Sequence, residues 1–171
     1  MTKTISEEYL NLQKDLHLRS DYGTASLGIA PEVKQIFEKY NYTSISDYGA
    51  GKCNLQKKLI QLGLKDFDYF PYDPVFPEYN SPKKADLVCC IDVLEHIEES
   101  FIENVINELR SITDKLAYFT IALKPAGKIL KDGRNAHILL KPEDWWLNLI
   151  KTKFKVVEID KTPKRLKLLL C

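Results

Sequence analysis

The sequence predicts a doubly wound α/β fold, a mostly parallel sheet covered by helices on both faces, and three observations carry that prediction. Strand-like and helix-like segments alternate along most of the chain. A continuous apolar run, Ala85–Ile91, has the pattern of a parallel strand buried on both faces. A short strand, Ser44–Tyr48, runs directly into the glycine turn Asp47-Tyr48-Gly49-Ala50-Gly51-Lys52-Cys53, and ligands of open α/β sheets bind at such carboxyl ends of strands. At 171 residues the chain fits one domain with a sizeable core, and 44% hydrophobic with 29% charged residues is ordinary for a globular protein.

Taken in order, residues 6–18 place Tyr9, Leu10, Leu12 and Leu16 among polar residues, the spacing of an amphipathic helix. Ser20-Asp21-Tyr22-Gly23 reads as a turn. Pro31-Glu32 then reads as a helix start, because proline suits the first turn and an acid favours the positive end of the helix dipole. These features divide the chain into residues 1–30, an N-terminal helix and lid segment, and residues 31–171, the α/β domain. After the glycine turn, residues 55–62 have helical spacing closed by Gly63. Residues 67–72 are aromatic-rich and form a second strand ending at Asp73-Pro74. Beyond Ala85–Ile91, the apolar positions from Val93 to Ile112 fit one long helix. Residues 116–123 are a strand, residues 142–150 a helix opened by Pro-Glu-Asp, and residues 154–159 and 166–170 two antiparallel strands.

The composition bounds the function class. Net charge is only +1, which makes no general case for nucleic acid. The distribution is uneven: residues 1–109 carry 11 Lys/Arg against 18 Asp/Glu, and residues 110–171 carry 14 against 6. That basic C-terminal third marks either an anionic substrate, with Lys124, Lys128, Lys131 and Arg134 in the loop after a central strand, or a solvated surface. No apolar run is long enough to span a bilayer, and residues 1–8 have no signal-peptide pattern. Cys53, Cys89, Cys90 and Cys171 form no CxxC pair, so reduced thiols in a cytoplasmic protein are expected.

The chemistry is concentrated at three strand ends. Glycines at 49 and 51 let the backbone turn tightly and let a ligand approach where a Cβ would collide. Asp73, at the end of the next strand, stands where a carboxylate can take both hydroxyls of a ribose. A dinucleotide fingerprint would want a further glycine at position 54, which is Asn. Asp92-Val93-Leu94-Glu95-His96 allows two readings. One is a capping box, with Asp92 as N-cap and Glu95 reaching back. In the other, Asp92, Glu95 and His96 share a helix face beside the pocket, and His137 after the next strand borders it too. Two carboxylates and two imidazoles suit a divalent ion, while the imidazoles alone suit general-base work.

These motifs resemble the class I S-adenosylmethionine-dependent methyltransferase superfamily. The match comprises Asp47-Tyr48-Gly49-Ala50-Gly51, Tyr72-Asp73-Pro74, and the stretch from Ala85-Asp86-Leu87 to Glu95-His96-Ile97. The resemblance implies a single Rossmann-like methyltransferase domain that binds S-adenosylmethionine through Asp47, Tyr48, Gly49, Gly51, Asp73, Pro74, Asp92 and Val93. Only twelve residues separate Asp73 from Asp86, where the family fits a helix, a strand and a helix. The third strand is therefore expected to be missing, leaving the family's order 2-1-4-5-7-6 with an antiparallel final strand. The group Asp92, Glu95, His96 and His137 is similar to that of metal-dependent 2′-O-methyltransferases of small-RNA 3′ ends, although Asp92 stands where they have Glu. It implies His96, His137 and Glu95 as catalytic residues and all four as possible metal ligands. The implied reaction is methylation of a small-molecule or RNA-terminal hydroxyl. A non-catalytic nucleotide-binding module and a dinucleotide-dependent oxidoreductase remain as alternatives.

Overall fold

The computed structural model describes residues 3–79 and 81–171. Six strands form one sheet: β1 (Ser44–Tyr48), β2 (Asp68–Tyr72), β3 (Ala85–Ile91), β4 (Thr113–Ala122), β5 (Val156–Thr162) and β6 (Arg165–Leu170). Their spatial order is β2-β1-β3-β4-β6-β5, the expected order with the third strand missing. The first four are parallel, and β6 inserts antiparallel between β4 and β5. Among the described residues between β2 and β3 there is no strand, only a 3-10 turn at Pro77–Tyr79.

Alternation along the strands sorts the core into two layers. Cys90, Phe119, Leu166 and Leu168 pack against α4 (Ile102–Ile112) and α5 (Glu143–Lys151) on one face. Leu87, Cys89, Ile45 and Tyr118 pack against α2 (Ala25–Lys39) and α3 (Asn54–Gln61) on the other. Cys89 and Cys90 thus serve opposite layers, both with no exposed surface, and none of the four cysteines is paired. Trp146 is fully buried and belongs to the first layer, as a core residue and not a stacking platform.

A third, smaller cluster joins α1 (Glu7–His17), capped by the Ser6 side chain, to the loop between β4 and α5: Tyr9 and Leu16 meet Leu130 and Ala136. Ion pairs Lys128–Asp21 and Lys131–Asp15 (2.7 Å) tie the same two segments together. They form a roof over the carboxyl ends of the strands.

Two expectations about helices are corrected. Pro31 does not start a helix; it lies inside α2, which begins at Ala25. The boundary drawn between residues 30 and 31 therefore falls within that helix. The apolar positions from Val93 to Ile112 do not form one helix either. Leu94–His96 and Glu99–Phe101 are separate 3-10 turns, with Ile97 and Glu98 extended between them, and the α-helix begins only at Ile102. Apolar spacing survived that break because the turns bury Leu94 and the helix buries Ile102 against the same layer.

Candidate functional site

A cavity of about 390 Å³ opens at the carboxyl ends of β1, β2 and β3, beneath the roof. Its volume lies within the range of small-molecule sites, roughly 300–1,000 Å³. All eight positions expected to hold a nucleoside cofactor line it: Asp47, Tyr48, Gly49 and Gly51 on one side, Asp73 and Pro74 beyond, Asp92 and Val93 across.

The glycine turn is built for close approach. Gly49 has φ +80°, and a Cβ there would sit 2.3 Å from Val93 Cγ2, so this glycine is demanded by the chain itself as well as by a ligand. Gly51 has φ +49° and donates its N–H to Asp73 Oδ2 (3.0 Å), while Val75 N–H donates to Oδ1 (2.9 Å). Burial raises the Asp73 carboxyl, opposed by His17 and these two amides. Asp47 is buried beneath the turn, accepts from the Tyr69 hydroxyl, and is pushed up to about 7 by that burial. Asp47 therefore supports the turn from below.

Sequence reasoning underweighted His17. Its ring covers Gly51, where an added Cβ would lie 3.3 Å from Cε1, and packs edge-on against Tyr22 and Phe76 (4.9 and 5.2 Å between centroids). Its Nδ1 is buried without a hydrogen-bond partner, and burial lowers its affinity for a proton. Nothing local in the sequence distinguishes it from a surface residue of an amphipathic helix; only the roof brings it over the turn.

At the other end of the cavity stand His96 and His137, rings 4.8 Å apart and nearly perpendicular. Each is anchored through Nδ1 to a backbone carbonyl, His96 to Ala136 (2.8 Å) and His137 to Lys124 (2.6 Å). A carbonyl only accepts, so each Nδ1 carries the hydrogen and each Nε2 is left as the atom without a protein partner. Burial, with His137 adjacent, pushes His96 down to about 3.

Glu95 is completely buried and does not line the cavity. Its Oε1 accepts from Ala122 N–H (2.9 Å), its Oε2 is unpartnered, and burial with nearby Asp92 pushes it up to about 8, so it is a neutral acid at pH 7. Donor atoms of Glu95, His96 and His137 lie within 4.8 Å of one another. Asp92 is not brought into this group. Its backbone is left-handed at φ 51°, and its carboxylate accepts from the Thr120 hydroxyl (2.6 Å) and the Arg165 guanidinium (2.6 Å). The capping box is absent for the same reason: Val93 caps the short turn, without a side-chain hydrogen bond.

The basic loop is also accounted for. Besides the two ion pairs to the roof, Arg134 is held by Asp132 (2.6 Å). On the late strands, Arg165 holds Asp92, Lys167 holds Glu32 (2.7 Å) and Lys161 holds Glu143 (2.9 Å). Among the described residues, no helix is long and apolar enough to cross a membrane.

This sheet order, with a glycine turn after β1 and an acid ending β2, is the fold of class I S-adenosylmethionine-dependent methyltransferases. Solved structures with that fold superpose on nearly the whole chain. The 1,6-didemethyltoxoflavin-N1-methyltransferase of Burkholderia thailandensis, with bound 1,6-didemethyltoxoflavin and S-adenosylhomocysteine, matches at TM-score 0.71 and 12% identity, over 99% of this chain and 91% of its own. An S-adenosylmethionine-dependent methyltransferase of Clostridium acetobutylicum matches at 0.59 and 12%, over 95% and 97%. The magnesium protoporphyrin IX methyltransferase of Synechocystis, with bound S-adenosylhomocysteine, matches at 0.56 and 14%, over 99% and 89%. No family model matches the sequence, and no curated protein is similar to it in sequence.

Proposed function

We propose that the chain is an S-adenosylmethionine-dependent methyltransferase acting on a hydroxyl, or a nitrogen, of a small acceptor. The observation that carries this reading is one cavity that joins the Gly49–Gly51 turn and Asp73 to the paired imidazoles of His96 and His137. The structural neighbours named for N-methylation and for porphyrin methylation support it.

Asp73 would take the ribose hydroxyls on the lone pairs that its two backbone amides leave free, and the glycine turn with Val93 would flank the methionine end. S-adenosylmethionine supplies an electrophilic methyl: the acceptor oxygen bonds to its carbon, the C–S pair passes to sulfur, and the acceptor loses a proton. The chain's part is mostly placement of the two partners. His137 receives the hydroxyl proton at Nε2; His96, held neutral, accepts at Nε2 from a second donor hydrogen on the acceptor and so orients it.

A divalent ion fits this cluster poorly. Asp92 is committed to Thr120 and Arg165, and Glu95 is fully buried with Oε1 held by Ala122 N–H and does not line the cavity, so the four-ligand set is not assembled. The same site favours catalysis over a purely binding module, because two imidazoles border the end of the cavity away from Asp73. A dinucleotide oxidoreductase lacks support, with Asn54 opening α3 where a third glycine is wanted.

Calorimetric titration with S-adenosylmethionine, S-adenosylhomocysteine and NAD tests the reading. Binding of the first two and not the third is expected. Tighter binding of NAD, or no binding of S-adenosylhomocysteine, would refute it.

A further inference from the structure

We propose that the acceptor end of the cavity is built for a small, uncharged, aromatic molecule that presents hydroxyl or ring N–H hydrogens, and against a carboxylate, a phosphate or an RNA terminus. This rests on the methyltransferase reading and narrows its substrate.

The first argument is the direction of the hydrogen bonds on offer. Ala136 and Lys124 carbonyls fix both imidazoles with Nδ1 protonated, so the pair presents two Nε2 lone pairs. Two acceptors facing a ligand call for donors on it. Part of the roof's polar surface is used internally: Gln13 Nε2 donates to the Tyr9 hydroxyl (2.6 Å), and the Tyr22 hydroxyl donates to Gln13 Oε1 (3.1 Å).

The second argument is charge. Lys128 is the cation on the cavity wall, and Asp21 holds it. The carboxylates on that wall include Asp73, Asp92 and Glu98, the last accepting from Ser6 N–H (2.8 Å). A carboxylate or phosphate placed there would lose its water beside these carboxylates, with Lys128 already paired to Asp21. In the loop that looked able to attract anions, Lys128 and Lys131 are turned to Asp21 and Asp15, beside and on α1.

Shape gives the third argument. The acceptor shares about 390 Å³ with the cofactor, under a roof packed on Leu130 and Ala136, which favours a small guest. Tyr22 meets His96 edge-on at 6.1 Å, and His96 meets His137 edge-on at 4.8 Å, so the wall is made of ring faces and edges that suit a flat guest.

The test begins by saturating the protein with S-adenosylhomocysteine; failure at that step refutes the methyltransferase reading itself. The loaded protein is then titrated with catechol, benzoate, phenyl phosphate and a short RNA ending in a free 3′-hydroxyl. Catechol is expected to bind and the three anions not to. His137→Phe, and separately His96→Phe, which remove the accepting nitrogen, should weaken catechol about tenfold, the loss of one hydrogen bond. In parallel, ¹⁵N spectra of the imidazoles should show Nε2 unprotonated and shifted when catechol is added. Absent catechol binding, anion or RNA binding equal to catechol's, or unshifted Nε2 signals would overturn the proposal while leaving the cofactor reading intact.

Discussion

Glu95 shows how one buried side chain can set a pH dependence. Its carboxyl is held near 8 against an ordinary 4.5, because burial penalises the charged form. A folded-state value raised in this way makes its contribution to stability full below the unfolded value and lost as pH climbs from about 4.5 through about 8. Asp47, raised to about 7, acts in the same direction. Thermal unfolding should therefore shift to lower temperature between about pH 4.5 and pH 8, and Glu95→Gln, which imitates the neutral acid, should flatten that shift. An unchanged slope in the variant would mean that Glu95 is ionised in the fold. With Asp92 committed to Thr120 and Arg165, a chelator should leave turnover unaffected, whereas His137→Ala should lower kcat by about a hundredfold or more, the scale of one proton-transfer group. Turnover that depends on added Mg²⁺ or Mn²⁺ would contradict the metal-free reading. Gly49 offers a test at the turn. Gly49→Ala should cost on the order of 1–3 kcal/mol through overlap with Val93 and abolish S-adenosylhomocysteine binding. Adding Val93→Ala should recover part of the stability but not the strain of the positive φ.

Among the elements, the roof is the part least determined by local rules. The helix at its centre was legible from spacing alone, and so were the strands, since alternation and apolar runs are properties of single segments. What α1 does was not legible, because the contacts that set His17 over the turn include Gly51 and Phe76, more than thirty positions away. The broken stretch from Val93 to Ile112 was misread for a related reason. A left-handed Asp92 and an extended Ile97–Glu98 pair depend on Arg165, Thr120 and Ser6, none of them nearby in sequence. The roof's attachments also make a prediction. Replacing Lys128 and Lys131 with Ala removes its ion pairs, and release of S-adenosylhomocysteine in stopped flow should become faster and lose its dependence on salt. Equal release rates at all salt concentrations in the unmodified protein would show that these pairs do not hold the roof.

For the whole molecule, part of the uneven charge is paired internally. The acidic first part and the basic last third meet across Glu32–Lys167, Asp92–Arg165, Asp15–Lys131 and Asp21–Lys128. The sheet order was implied by the methyltransferase resemblance, and the short span between Asp73 and Asp86 removed its third strand. The position of β6 has a further consequence. It lies between β4 and β5, hydrogen-bonded to both, and its Arg165 steadies the Asp92 corner of the site. On the ribosome, where chains emerge from their N-terminus, every other strand is made before the one that sits between two of them. The growing chain must keep β4 with an open edge until Leu170 appears, and its half-built sheet is the species a chaperone would meet.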